Sequence, residues 1–304
     1  MQADRSGRTF TAQLSRRAAL LGGAGLVAAL TGCAREMPRD TRPRTFAELL
    51  RETPFYVAHR GGGGNWPEMT AYAYSQAAAL PFVHAIEISV CRSSDGVLVC
   101  CHDPDTLRVT GVPHVVAQTD WATLSGLMVT SQYTDDPQQP ARPMSRLDDV
   151  IGTYIDRLVV FIEPKTLDAA APLMQTLVAL NQPERTVWKQ YVNSPNFTEA
   201  KSHGFSTWGY VLNEPAHLDH LEQFAAHPAI DMLGIGKNET DEVVQRVVSL
   251  ATKNNKPVMM WPITTVAERA RALGLGCRGL MTSNLKTGPA PLWPGPGQSS
   301  QVSR

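Results

Sequence analysis

Nine short runs rich in β-branched and aromatic residues, at 55–59, 83–90, 97–101, 158–163, 185–190, 206–211, 231–235, 256–261 and 278–282, are separated for the most part by stretches with helical spacing. That alternation is the pattern of a parallel α/β sheet, in which each strand returns through a helix. One run does not fit a parallel neighbour. Between 83–90 and 97–101 lies only a short link ending in the turn dipeptide Asp95-Gly96, whereas parallel neighbours need a crossover of about a dozen residues or more. The third run is therefore predicted to fold back antiparallel as a small hairpin inserted after the second strand, and eight strands remain. Eight strands with helix-length connectors in a body of roughly 235 residues (50–286) fit a single α/β domain, a (β/α)8 (TIM) barrel, whose typical size is about 250 residues. The open dinucleotide-binding sheet is excluded on two grounds. No G-x-G-x-x-G follows the first strand, and the glycine run 61–64 leads into Asn65-Trp66-Pro67, which cannot open a helix at once.

The ends of the chain carry a different kind of information. Residues 1–33 begin with Arg5, Arg8, Arg16 and Arg17 and continue into an apolar stretch over 18–30, the layout of an export signal. The stretch is short of the roughly 20 apolar residues that a membrane span needs. Ser15-Arg16-Arg17 resembles the twin-arginine signal, and Leu30-Thr31-Gly32-Cys33 resembles the bacterial lipobox, with Cys33 as the residue to be lipidated. The expectation is an exported lipoprotein held at the outer face of the cytoplasmic membrane, in the cell envelope. Residues 34–49, rich in Arg and Pro at their start, read as a linker, and 287–304, dominated by Pro, Gly, Ser and Gln, read as a loose tail.

Charge and cysteine usage exclude two classes. Lys plus Arg is 28 and Asp plus Glu is 28, a net charge of zero that leaves no basic footprint for nucleic acid. The five cysteines form no C-x-x-C pair, so a structural zinc site is not expected. Cys91 and either Cys100 or Cys101 fall on facing arms of the hairpin, where an exported protein has the chance to form a disulfide.

In a (β/α)8 barrel the chemistry sits at the C-terminal ends of the strands. His59-Arg60 closes the first strand, Glu87 and Ser89 lie on one face of the second, and Glu163 and Lys165 share a face at the end of the next parallel strand. The hairpin is expected to rise above the rim, turn at Gly96 and deliver His102-Asp103 opposite His59. Two histidines suit proton transfer near neutral pH. Glu87 and Glu163 are hard oxygen ligands suited to Ca2+ or Mg2+, with an ion pair between Glu87 and Lys165 as the structural alternative. Arg60 and Lys165 suit a bound phosphate. Glu68 reads as a first-turn helix residue, Trp261 as either core or pocket lining, and the remaining histidines as ordinary.

The order of these motifs resembles the glycerophosphodiester phosphodiesterase family over about 54–285: His59-Arg60-Gly61, Pro67-Glu68-Met69-Thr70, Glu87 ahead of the Asp95-Gly96 turn and His102-Asp103, then Glu163-Pro164-Lys165. Trp261 and the run 279–284 are further echoes. The resemblance implies metal-assisted hydrolysis of glycerophosphodiesters to glycerol 3-phosphate and an alcohol, with His59 and His102 catalytic, Arg60 and Lys165 on the phosphate, Glu87 and Glu163 on a divalent metal, and a glycerophosphodiester or lysophospholipid as substrate. Two departures stand out. Ser89 replaces the expected Asp, removing one negative charge from the metal site, and Ser283-Asn284 stands in place of the closing Asp. Ser89 keeps open a weakened barrel that binds phosphodiesters. A third reading is a lysophospholipid-cleaving enzyme that stops at the cyclic phosphate.

Overall fold

The structure, a computed structural model, describes residues 40–131 and 139–289. The twin-arginine signal, Cys33 and most of the tail lie outside the described residues. Within them are eleven strands: β1 (Phe55–Ala58), β2 (Ala85–Arg92), β3 (Leu98–Cys100), β4 (Met128–Val129), β5 (Arg142–Pro143), β6 (Val159–Pro164), β7 (Thr186–Tyr191), β8 (Ser206–Val211), β9 (Met232–Gly236), β10 (Val258–Ile263) and β11 (Gly279–Thr282). The sheet runs β1-β11-β10-β9-β8-β7-β6-β2, and β1 also pairs with β2, so eight parallel strands close on themselves. β3 lies antiparallel to β2, with Val90 opposite Cys100 and Cys91 opposite Val99. β4 and β5 form a separate antiparallel pair. The barrel and its hairpin are those the sequence pattern predicts, and the hairpin turn places Gly96 at φ +90°, which a side chain would resist.

Both faces of the closed sheet are buried, and alternation sorts them. Tyr56, Ile86, Ile88, Val160, Ile162, Trp188, Leu233 and Leu280 face outward into the layer of helices. Phe55, Val57, Ala85, Val159, Phe161, Val187, Trp208, Met232, Met259 and Met281 face inward and fill the barrel. Space for the largest of them comes from glycine. A Cβ on Gly234 would lie 2.4 Å from the Trp208 ring, so an interior position on β9 is left empty for the indole of β8.

The expected linker folds earlier than its composition suggests. Phe46–Leu49 forms a helical turn capped by the Thr45 side chain, and Phe46 and Leu49, three apart on one face, join the interior cluster with Phe55. The Arg/Pro composition of 34–44 masked this short apolar pair. At the other end, Leu285–Thr287 is a 3-10 turn with Leu285 buried, and the Arg269 Nη1 donates to the Thr287 carbonyl at 2.5 Å, so the fold continues a little into the expected tail.

Candidate active site

Following the inward face upward, the side chains change from apolar to ionisable at the strand ends. β1 turns directly into a 3-10 turn, His59–Gly61, in which Arg60 adopts a left-handed backbone (φ 54°). That turn aims the Arg60 backbone N–H at Glu87 Oε2, 2.8 Å away. The glycine run serves packing: Gly64 donates its N–H to the Ser283 carbonyl at 2.9 Å, and a Cβ on Gly64 would lie 2.8 Å from that oxygen. The loop thus rests on the end of β11, and His59 Nδ1 lies 2.7 Å from Ser283 Oγ.

The hairpin carries His102 to the end of β3. Cys101 donates its N–H to the Ser89 carbonyl at 3.0 Å, which ties the returning strand to β2 just before His102. His102 Nδ1 is 2.7 Å from Asp103 Oδ1. Arg108 Nε donates to the other oxygen of Asp103 at 2.5 Å, and Arg108 Nη2 to Glu68 Oε1 at 2.6 Å. Arg60 Nη1 reaches the same Glu68 at 3.1 Å. One chain of alternating charges therefore runs from Arg60 through Glu68, Arg108 and Asp103 to His102. Glu68 is not in a helix. Met69 has a left-handed backbone (φ 59°), so the following helix, Ala71–Ala78, starts only after Thr70, and Glu68 is left buried between two arginines.

The centre of the barrel mouth is occupied by a residue outside the expected set. Lys189 on β7 extends its ammonium between the two glutamates, donating to Glu87 Oε1 at 2.8 Å and in a still shorter contact to Glu163 Oε2. Register explains the meeting. Ile162 is level with Trp188, so one step further along, Glu163 and Lys189 are neighbours on the inward face. Glu87 therefore pairs with Lys189 rather than with Lys165, which contacts Glu163 Oε1 at 3.2 Å. Ser89 Oγ donates to Glu87 Oε1 at 3.0 Å, and the Tyr210 hydroxyl donates to Glu163 Oε1 at 2.5 Å.

Electrostatics follow from this geometry. Burial alone would push Glu87 and Glu163 up, but Lys189 above all, with His59 at Glu87 and Lys165 at Glu163, holds both carboxylates below their usual range. Burial would likewise lower Lys189, yet Glu163 and Glu87 outweigh it and raise the ammonium. Removing one partner of such a buried ion pair costs about 3–5 kcal/mol, because the other charge is left without compensation. Burial, then the nearby Arg60 charge, lowers His59 well below its ordinary value. Burial also lowers His102, opposed by its hydrogen bond to Asp103.

A cavity of about 640 Å³ opens over this mouth, lined among others by His59, Arg60, Glu68, Lys237, Thr264 and Ser283. Arg60 Nε is buried without a protein partner. Lys165 lines a smaller hollow on the β6 and β7 side together with Glu163, Gln190 and Tyr191. Trp261 packs edge-on against Trp208 and Tyr210, with ring centroids 5.6 and 5.2 Å away, so it belongs to the aromatic packing under the mouth, and Pro262 lines the cavity in its place. Cys91, Cys100, Cys101 and Cys277 are free and buried. The hairpin register keeps Cys91 and Cys100 apart, since Cys91 faces Val99 and Cys100 faces Val90; Cys91 and Cys101 share one buried cluster as free thiols, each reaching the Asp103 carbonyl, at 3.4 and 3.3 Å.

The residues present do not suit the Ca2+ or Mg2+ that the resemblance implies. These ions take six or more oxygens, largely from carboxylates, carbonyls and water. Here both oxygens of each glutamate already accept hydrogen bonds, and an ammonium lies between them. Among the described residues, no three His, Cys, Asp or Glu side chains are grouped to hold a metal ion. Lys189, Tyr210 and Arg108 are absent from the sequence-based set, and Asp103 enters it only within the His102-Asp103 pair, without a role of its own. The one signal at Lys189 is a charge in the strand Thr186–Tyr191, which does not by itself say that the position faces inward.

Comparison with known proteins places the fold. A phosphodiesterase of Silicibacter pomeroyi superposes with a TM-score of 0.62 at 20% identity, covering 77% of this chain and 91% of that one. A phosphodiesterase of Oleispira antarctica, solved with the product sn-glycerol-3-phosphate, superposes with a TM-score of 0.60 at 20% identity, covering 78% and 95%. Two curated relatives match in sequence over part of their length. A glycerophosphodiester phosphodiesterase of Arabidopsis thaliana is 32% identical over 103 residues, 33% of this chain and 27% of the relative. One of Bacillus subtilis is 26% identical over 139 residues, 44% and 47%. The chain thus spans about a quarter and about half of the lengths of these two relatives. The family model of the glycerophosphoryl diester phosphodiesterases matches residues 59–287, from the first histidine of the mouth to the last turn of the fold, and the chain belongs to that family.

Proposed function

We propose that the chain is a phosphoric diester hydrolase that cleaves glycerophosphodiesters to glycerol 3-phosphate and an alcohol, with His59 and His102 as its acid-base pair. The observation that supports this reading is two imidazoles from separate strand ends on either side of Glu68: His59 lines the main cavity with Arg60 and Glu68, and His102 lines a small hollow that shares Glu68. Family membership supports the substrate class, and the glycerol 3-phosphate bound by the Oleispira relative suits a cavity with this lining.

His59, kept neutral by burial and by Arg60, takes the role of base. It accepts the proton of the glycerol hydroxyl next to the phosphate as that oxygen attacks phosphorus. The bond from phosphorus to the alcohol oxygen breaks, and His102, supported by Asp103, protonates the leaving oxygen. Arg60 and Lys165 offset the charge gathering on the phosphoryl oxygens. The cyclic glycerophosphate is then opened in the reverse sense. Neutral His102 takes a proton from water, the water oxygen attacks phosphorus, the ring bond breaks, and His59 returns its proton to the freed glycerol oxygen. One water is consumed in all.

Release of glycerol 3-phosphate from glycerophosphocholine by the full chain tests this. His59→Ala and His102→Ala are each expected to lower the rate by about 10²- to 10⁴-fold. No release by the wild-type chain, with phosphodiester binding retained in calorimetry, would replace the enzyme with a binding protein. Accumulation of the cyclic phosphate as end product would instead favour a cyclising enzyme, to be tried on lysophospholipid as well. The N-terminal motifs support an exported lipoprotein anchored through Cys33. Cys33→Ala should move the protein from the membrane to the soluble fraction, and continued membrane retention would overturn that anchor.

A further inference from the structure

We propose that this chain supplies its own cation: the Lys189 ammonium takes the place between Glu87 and Glu163 that a divalent ion would need, and the site binds no Ca2+ or Mg2+ there. That hydrolysis is therefore resistant to chelators rests on the function proposed above. The binding claim does not.

Three observations converge. The first is position. Lys189 is 5% exposed and enclosed on the inward face, with its Nζ contacting both carboxylates and lying 5.4 Å and 5.7 Å from the centres of the Tyr210 and Trp208 rings. A metal entering between the glutamates would have to displace this ammonium into a space already filled by aromatic side chains. The second is the state of the carboxylate oxygens. Glu87 accepts from Ser89, Lys189 and the Arg60 backbone, and Glu163 from Tyr210 and Lys189, with Lys165 also beside it. No oxygen of the pair is left without a donor.

The third is charge. Two carboxylates and one ammonium sum to minus one, as do three carboxylates around a divalent ion. Ser89 in place of an aspartate and Lys189 in place of a metal are thus two halves of one exchange, and each makes sense only with the other. An aspartate beside Glu87 would overload a monovalent cation. A divalent ion beside Ser89, Lys165 and Arg60 would leave an excess of positive charge in a buried site. The exchange also sets what Lys189 does. It keeps both glutamates ionised and fixed, so that Glu87 holds the Arg60 backbone and with it the turn that carries His59. Lys189 is in this sense a positioning residue whose charge lies directly beneath the mouth.

The test reads metal binding directly. The full chain, stripped with EDTA, is titrated with Ca2+ and with Mg2+ by calorimetry and melted with and without each ion, alongside the double variant Ser89→Asp/Lys189→Ala. The proposal expects no saturable binding heat and no shift in melting for the wild type, and the gain of both in the double variant. Wild-type binding that is lost in Glu87→Gln or Glu163→Gln would overturn it, whereas wild-type binding that survives both substitutions lies elsewhere and leaves it standing. If the double variant does not fold, the wild-type titration and the two single substitutions still decide. Glycerophosphocholine turnover with excess EDTA is measured in parallel. Turnover unchanged by EDTA supports the proposal, and turnover abolished by EDTA and restored by Ca2+ or Mg2+ overturns it. Absence of turnover under every condition, with no metal binding, would sink the hydrolase reading while upholding the ammonium-for-metal exchange.

Discussion

The lower and upper halves of the barrel interior are made by alternate positions of the same strands, yet they obey different rules. Below, Val57, Phe161, Val187 and Trp208 fill space. Two residues further along each of these strands stand His59, Glu163, Lys189 and Tyr210, a set in which burial is tolerated only because charges are matched. The lower half is stable for reasons any hydrophobic set of the right volume would meet. The upper half depends on the identity of each partner, so stability and activity should separate along one strand.

Four measurements would break or sharpen that contrast. The largest effect is expected at the mouth: His102→Ala should lose about 10²- to 10⁴-fold in turnover with little change in melting, since the ring is partly exposed and the proposed mechanism gives it proton transfer. Phe161→Ala, on the strand that carries Glu163, should do the opposite, costing about 3–5 kcal/mol in denaturant unfolding while turnover per folded molecule is nearly kept. An equal loss of turnover in Phe161→Ala would mean that the two halves are not separable. Arg108→Ala releases both Asp103 and Glu68 and should slow turnover about 10- to 100-fold through misplacement of His102, with an altered pH profile. Thr240→Ala, at the N-cap of the outer helix Asp241–Lys253, is the control away from both halves and should cost about 1 kcal/mol of stability and no activity.

The pH dependence carries a sign. The folded-state pKa of His59 lies below its unfolded value of about 6.5, so the unfolded chain binds the extra proton first. Its contribution to stability is whole above that unfolded value and is lost as pH falls through the folded one. In its proposed role as base it must be neutral, so the acid limb of turnover is expected below pH 6.5. The stability of His59→Ala should fall less steeply on acidification than that of the wild type.

What could be read beforehand followed from local periodicity. The eight barrel strands and the hairpin lie within two residues of their expected places, because β-branched runs and turn dipeptides act over a few residues. Alternation also put Glu87 with Ser89 and Glu163 with Lys165 correctly. It failed at Lys189 because both faces of a parallel strand are buried: Val187 and Trp188 are equally apolar, and nothing local says which of them points inward. That choice is made by register with β6, a relation between residues far apart in the chain. Glu68 was misread for a similar reason. Its helix begins later because Met69 turns left-handed to bring the carboxylate between Arg60 and Arg108, a partner 40 positions away.

The packed floor has a bearing on the order of events. Phe55, Phe161, Trp208 and the turn Phe46–Leu49 fill the barrel below the charges, so the cavity beside His59 and Arg60 stands over an apolar floor. In the hydrolysis proposed above, the departing alcohol and the incoming water would both use that cavity. An alcohol slow to leave would then shield the cyclic phosphate from water, so bulky head groups should lengthen the life of that intermediate and small ones shorten it.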